Sequence, residues 1–196
     1  MLTLHGQAYE YYDWETLGSL VFKLSQQILS QEKEFDRLVA LAKGGLTFSR
    51  SLVDYVNIPD LSTLKIEFYT GIGQTAKTPV ITQSLPVTVK NERILVFDDI
   101  VDSGETMELA VKYLQYHGAA SISSACLFTK PWTKIQPDFK AQESQAWIIF
   151  PNEARETMAT LTKLWAEKGD SPDQIHEQLL KLGFPQAEVA QFHSLK

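Results

Sequence analysis

Apolar residues recur at Trp14, Leu17, Val21, Leu24 and Ile28, a helical spacing, and Asp13 stands where it can cap the helix they predict. The apolar run from Leu38 to Ala42 reads as a short strand. It ends at Lys43-Gly44-Gly45, and a second helix is expected through Leu46, Leu52, Val53 and Val56. Leu64, Ile66 and Phe68 alternate with polar residues, so Leu64 to Tyr69 is expected to be a strand. From Gly71 to about Lys90 the chain is rich in Thr, Gly and Pro, which predicts a long loop or a β-hairpin carrying Val80-Ile81 and Val87-Thr88-Val89. Ile94 to Phe97 is the next strand, and a helix from about Glu105 to Tyr116 is stopped by Gly118. SISSACLF (Ser121 to Phe128) and AWIIF (Ala146 to Phe150) are further strands. Strand–turn–helix units in series predict an α/β fold, a mainly parallel sheet with helices on both faces.

The last stretch has a different texture. Ser171-Pro172-Asp173-Gln174 is a capping box with proline at the first helical position. Leu161, Leu164 and Trp165, then Ile175, Leu179 and Leu182, mark two short amphipathic helices, with Phe184, Val189 and Phe192 available for a third. The expected organisation is a domain over 1–153 followed by a small helical extension over 154–196.

A chain of 196 residues can bury one sizeable core and carry such an appendage. Its 44% hydrophobic and 21% charged residues are ordinary for a soluble protein. The net charge is -6 with no basic block, which argues against broad nucleic-acid binding and leaves room for a small anionic ligand in a local pocket. Cys126 lies in an apolar run and reads as a buried structural thiol. No leader pattern or membrane-spanning stretch is visible, so a cytoplasmic protein is expected. His5, His117, His176 and His193 show no metal-ligand spacing.

The segment ILVFDDIVDSGET carries the chemistry. A buried strand over Ile94 to Phe97 would deliver Asp98 and Asp99 to the C-terminal edge of a parallel sheet, where ligands bind. Asp102-Ser103-Gly104-Glu105-Thr106 then turns into a helix. Gly104 allows the tight curve, the first helical N–H groups point outward, and Ser103 and Thr106 add hydroxyls. Together they make a socket for a phosphate dianion. The preceding carboxylates are suited to ribose hydroxyls or to Mg²⁺. The bland alternative is a strand end with solvated acids and a capped helix.

This whole pattern resembles the phosphoribosyl pyrophosphate (PRPP) signature of the type I phosphoribosyltransferases. From about Asp13 to Glu153 the chain is similar to the bacterial and archaeal xanthine-guanine and hypoxanthine-guanine members. LVALAKGG resembles the pyrophosphate loop, with Lys43 in place of the usual Arg, and FTKP followed by AWIIFP resembles the purine pocket. The resemblance implies that fold with a mobile lid at about 70–90, and transfer of ribose 5-phosphate from PRPP to a 6-oxopurine in purine salvage, with Mg²⁺ as cofactor and a homodimer or homotetramer as assembly. It implies pyrophosphate binding by Lys43, Gly44 and Gly45, commonly through a non-proline cis peptide. It places Asp98 and Asp99 near the ribose hydroxyls and the metal, Asp102 near N7 of the purine, and Ser103, Gly104, Glu105 and Thr106 on the 5′-phosphate. It gives Lys130 to the 6-oxo group, Trp147 to stacking and Ile148 to the base edge. Asn152 stands where the xanthine-guanine enzymes usually have a second Trp.

Gly71 to Thr78, GIGQTAKT, is close to a phosphate-binding P-loop, but that motif needs a helix directly after it, and a Pro-broken strand-like run follows. It is read as part of the lid, with Lys77 in reach of pyrophosphate. Other substrates (adenine, orotate, uracil) and a non-catalytic PRPP-binding regulator are the alternatives.

Overall fold

The apolar runs fold as β1 (Leu2–Leu4), β2 (Gln7–Tyr11), β3 (Arg37–Ala42), β4 (Asp60–Thr70), β5 (Lys77–Gln83), β6 (Arg93–Val101), β7 (Ser121–Thr129), β8 (Phe139–Glu143) and β9 (Trp147–Ile149). The helices are α1 (Trp14–Leu29), α2 (Gly44–Val56), α3 (Glu105–Tyr116), α4 (Ala154–Glu167), α5 (Pro172–Leu182) and α6 (Gln186–His193). This computed structural model describes residues 1–70 and 77–193. Two compact units emerge, Gly18–Ser144 on one hand and Met1–Leu17 with Gln145–Lys196 on the other.

In the first unit six strands form one sheet in the order β5-β4-β3-β6-β7-β8. All neighbours are parallel except β4 with β5. Leu38, Val39, Ala40, Leu95, Val96 and Phe97 are all fully buried, so both faces of the central strands are covered, as a parallel sheet requires. Val39, Leu41, Val96 and Cys126 share one core with Met107, Ala110 and Leu114 of α3. Burial pushes the Cys126 thiol far above its usual range, so it stays a structural thiol.

The helix expected over Trp14 to Ile28 and the strand expected over Leu64 to Tyr69 are both present, with one position of each stripe exposed, while the Val87–Val89 strand is corrected. Trp14 is 57% exposed, because it opens α1, while Leu17, Val21, Leu24 and Ile28 of the same stripe are buried. Phe68 is 45% exposed although Leu64 and Ile66 of its alternation are buried. Val87-Thr88-Val89 is not a strand; β5 pairs antiparallel with β4 instead, and Val89 is buried in the α3-covered core. Pro86 interrupts any ladder there. The tip of the expected lid lies outside the described residues, as does the side chain of Lys77.

The N-terminal ends of the strands are held by ion pairs. Arg37 donates to Glu92 at 2.8 Å, to Ser62 at 3.0 Å and to Asp60 at 3.1 Å. Arg93 binds Asp36 and Glu34, both at 2.7 Å.

The second unit contains a small sheet in which β2 pairs antiparallel with β1 and parallel with β9. AWIIF is therefore a strand, but not of the large sheet. Tyr9 and Ile149 share a core with Leu161 and Trp165 of α4, Ile175 and Leu179 of α5, and Val189 of α6. The capping box is present: Ser171 accepts from the Gln174 N–H, and its own N–H donates to Gln174 Oε1 at 2.7 Å. Gly183 ends α5 at φ 108°. Among the described residues no helix is long and apolar enough to cross a membrane.

Candidate active site

The two-acid end of β6 sits where its neighbour turns away. Pairing between β3 and β6 stops at Ala40 and Phe97, and β3 ends at Ala42, followed by a cis peptide bond to Lys43. β6 runs on past Phe97, through Asp98 and Asp99 to Val101, because β7 continues to pair with it. The acids thus lie within the strand rather than beyond it. Gly44 and Gly45 start α2 against this overhang. A β-carbon on Gly44 would come 2.3 Å from Asp99 Oδ2, and one on Gly45 would come 2.6 Å from the carbonyl oxygen of Phe97. A side chain at Gly44 requires the Asp99 carboxylate to move, and one at Gly45 requires the β6 backbone to move.

Asp99 is buried, and its Oδ1 accepts from the Ile100 N–H at 2.8 Å. Asp98 keeps partial solvent contact, and its Oδ1 accepts from the Asp99 N–H at 3.0 Å. Burial first, and then the adjacent Asp99 charge, push the Asp98 carboxyl well above the ordinary carboxylate range. Bonds from the Asp99 and Gly45 backbone pull weakly the other way. Among the described residues no group of three or more His, Cys, Asp or Glu side chains surrounds this pair. Two hard carboxylates fit a Mg²⁺ that takes its remaining oxygens from a substrate and from water.

Asp102 to Thr106 follow as the turn expected from sequence. Gly104 has φ 91° and caps α3 without a side-chain hydrogen bond. Ser103 Oγ accepts from the Glu105 N–H at 3.3 Å, a long bond. A cavity of about 200 Å³ opens at this helix start, lined among others by Asp98, Asp102, Ser103, Gly104 and Thr106. α2 also begins without a side-chain cap, at Lys43. Two helix N-termini whose N-cap residues give no side-chain cap therefore meet one sheet edge, each with the positive end of its dipole. Such a pair suits a ligand with phosphate groups at both ends.

Lys130 is buried at 5% exposure and follows directly on β7. Its backbone N–H donates to Val101 O at 3.2 Å, and the N–H of Lys134 donates to Ser103 O at 3.2 Å. Between them the indole Nε1–H of Trp132 donates to Asp102 Oδ1 at 2.6 Å. The Lys130 Nζ lies 5.7 Å from the centre of the Trp132 ring. Sequence reasoning found Lys130 and passed over Trp132, two residues on. No local sequence signal marks Trp132, because its partner Asp102 lies thirty residues earlier.

Trp147 and Ile148 belong to β9 in the other unit. Trp147 is 43% exposed with its ring 6.4 Å from that of Tyr9, and Ile148 is buried. Of the histidines, His5 meets Asp170 at 2.6 Å and His117 caps α3.

Residues 7–156 match the family described as Phosphoribosyl transferase domain. The hypoxanthine phosphoribosyltransferase of Haemophilus influenzae is 34% identical over 108 residues, 52% of this chain and 58% of that protein. That match spans less than two thirds of the relative. The xanthine-guanine phosphoribosyltransferase of Gluconobacter oxydans is 25% identical over 140 residues, 70% of this chain and 80% of that one. Among solved structures, a purine phosphoribosyltransferase from Pyrococcus horikoshii superposes with a TM-score of 0.67 at 30% identity, covering 73% of this chain and 93% of its own.

Proposed function

The chain belongs to the phosphoribosyl transferase domain family, and on that premise we propose that it transfers the 5-phosphoribosyl group of PRPP to N9 of a 6-oxopurine. The products would be a nucleoside 5′-monophosphate and pyrophosphate, a purine-salvage reaction. The observation that carries this reading is the Asp102–Thr106 turn, with its uncapped helix start opening into a cavity beside Asp98.

The 5′-phosphate docks at Ser103, Gly104, Glu105 and Thr106, whose amides and hydroxyls face an anion. The pyrophosphate lies at Lys43, Gly44 and Gly45, where the Lys43 ammonium and the start of α2 offset the charge it gains as the C1–oxygen bond lengthens. Asp98 and Asp99 would accept from the ribose hydroxyls and would hold Mg²⁺. When bound, Mg²⁺ supplies positive charge to the leaving pyrophosphate. Asp102 accepts the proton at N7 as N9 attacks.

Lys130 supports the choice of base. A buried ammonium can donate to a 6-oxo group but has nothing to accept from an adenine amino group. The base-holding roles of Trp147 and Ile148 rest on the family's sequence pattern. Relatives at 25–34% identity named for hypoxanthine, guanine or xanthine agree with this class of base.

The test is to supply PRPP and Mg²⁺ with guanine, hypoxanthine, xanthine or adenine in turn. Nucleotide and pyrophosphate should form with one or more 6-oxopurines and not with adenine. Tight PRPP binding with no turnover on any base would overturn the reading in favour of a PRPP sensor.

A further inference from the structure

Residues 130–134 run alongside the turn that carries the substrate-binding groups and stitch it in three places. The Lys130 N–H holds Val101 O, the Trp132 indole holds Asp102 Oδ1, and the Lys134 N–H holds Ser103 O. The backbone bonds are each 3.2 Å, whereas the indole bond is 2.6 Å and ends on a carboxylate. Opposite the Trp132 β7–β8 segment, Gly104 is also packed: a β-carbon there would meet Thr133 Oγ1 and the Ile135 side chain, both at 3.1 Å. The turn is therefore fixed on its backbone by two amides and on its one exposed acid by an indole.

Resting on the phosphoribosyl-transfer reading, we infer that Trp132 is a positioning residue that aims the Asp102 carboxylate and sets its distance from Lys130. An Asp side chain on an exposed turn has free rotation about its terminal bond, and a proton acceptor that wanders loses most of its value. A charge-assisted bond from a rigid indole removes that freedom. It uses one oxygen only; an ionised carboxylate keeps lone pairs for a second donor, here the N7 proton of the base. The same ring presents itself to the Lys130 ammonium at 5.7 Å, so one side chain references both polar groups that would read the purine. Trp132 is 57% exposed, and burial of apolar surface does not account for a tryptophan at this place.

Two substitutions separate this role from that of a simple wall. Trp132→Phe keeps an aromatic face and removes the N–H. Trp132→Gln gives up the ring but carries an N–H donor the same number of bonds from the backbone as the indole nitrogen. Aiming predicts that Trp132→Phe lowers kcat roughly tenfold with the KM for PRPP unchanged, and that Trp132→Gln retains several-fold more kcat than Trp132→Phe. A wall predicts the reverse order, and that order would overturn the inference. So would equal kcat for Trp132→Phe and the parent protein. Circular dichroism and the melting midpoint, unchanged in both variants, keep the comparison among folded proteins. Absence of turnover in the parent protein with every base would instead sink the phosphoribosyl-transfer reading and take this inference with it.

Discussion

Gly44 and Gly45 are adjacent, yet an added methyl meets a side chain at one and main chain at the other. On Gly44 it would displace the Asp99 carboxylate; on Gly45 it would strike the carbonyl of Phe97, which is locked in the β6 ladder. Gly44→Ala is therefore expected to lower kcat/KM by about 10²-fold, the usual cost of moving a catalytic group by an ångström, with little change in melting temperature. Gly45→Ala is expected to cost about 1–3 kcal/mol of stability, read by urea unfolding. A reversed ranking would show that the overhang yields more easily than the acid. Asp102→Asn should reduce kcat by about 10²-fold while PRPP binding, followed by calorimetry, persists; unchanged kcat would remove Asp102 from proton acceptance. The glycines and acids were legible because they are contiguous and each has few other uses. Trp132 was not, since its partner lies thirty residues back and only folding makes them neighbours.

At the level of elements, the two ends of the parallel strands have divided roles. The C-terminal edge carries helix starts whose N-cap residues give no side-chain cap and a β6 overhang unpaired on its β3 side, while the N-terminal edge is pinned by Arg37 and Arg93. The Arg93 guanidinium and backbone, by donating to Asp36, hold its carboxyl at about 2 rather than the usual 3.8. The folded value lies below the unfolded one, so the bond stabilises fully above the unfolded value and its contribution is lost as pH falls from 3.8 toward 2. Arg93→Met should accordingly lose less stability than the parent over that window, measured by chemical unfolding at stepped pH. Parallel stability curves would show that the pair is fully screened. Elements with long, uniform patterns, such as α1, β6 and α3, were readable from spacing. β1, β2 and β8 were not: QAYEY and FKAQE mix polar and apolar residues and become strands only because a neighbour offers an edge. β5 contains Val80-Ile81, which the sequence predicts as a hairpin strand, and it pairs antiparallel along the edge of β4 that faces away from β3.

For the whole molecule, the helices after Glu153 are not a detachable tail. They share a core with the chain's beginning: Tyr9 and Ile149 pack with Leu161, Trp165, Leu179 and Val189, and all of these are almost completely buried. The Tyr9 and Trp165 rings meet edge to face at 6.1 Å. Sequence texture placed a break near residue 153 because the motif pattern stops there and short amphipathic helices begin. Nothing local in that texture could say that β2, over a hundred residues earlier, supplies the other half of their core. Ending the chain after Glu153 would strip cover from Tyr9 and Ile149 and remove side chains whose burial stabilises by about 1.5–3 kcal/mol each. That sum is large against a total of about 5–15 kcal/mol for a whole domain. The truncated chain should therefore aggregate on expression or melt well below the full chain, and Trp165→Ala alone should cost about 3–5 kcal/mol. A truncated chain that stays soluble and melts with the full-length protein would mean that β1, β2 and β9 hold together without the helices, and the shared core would lose its structural weight.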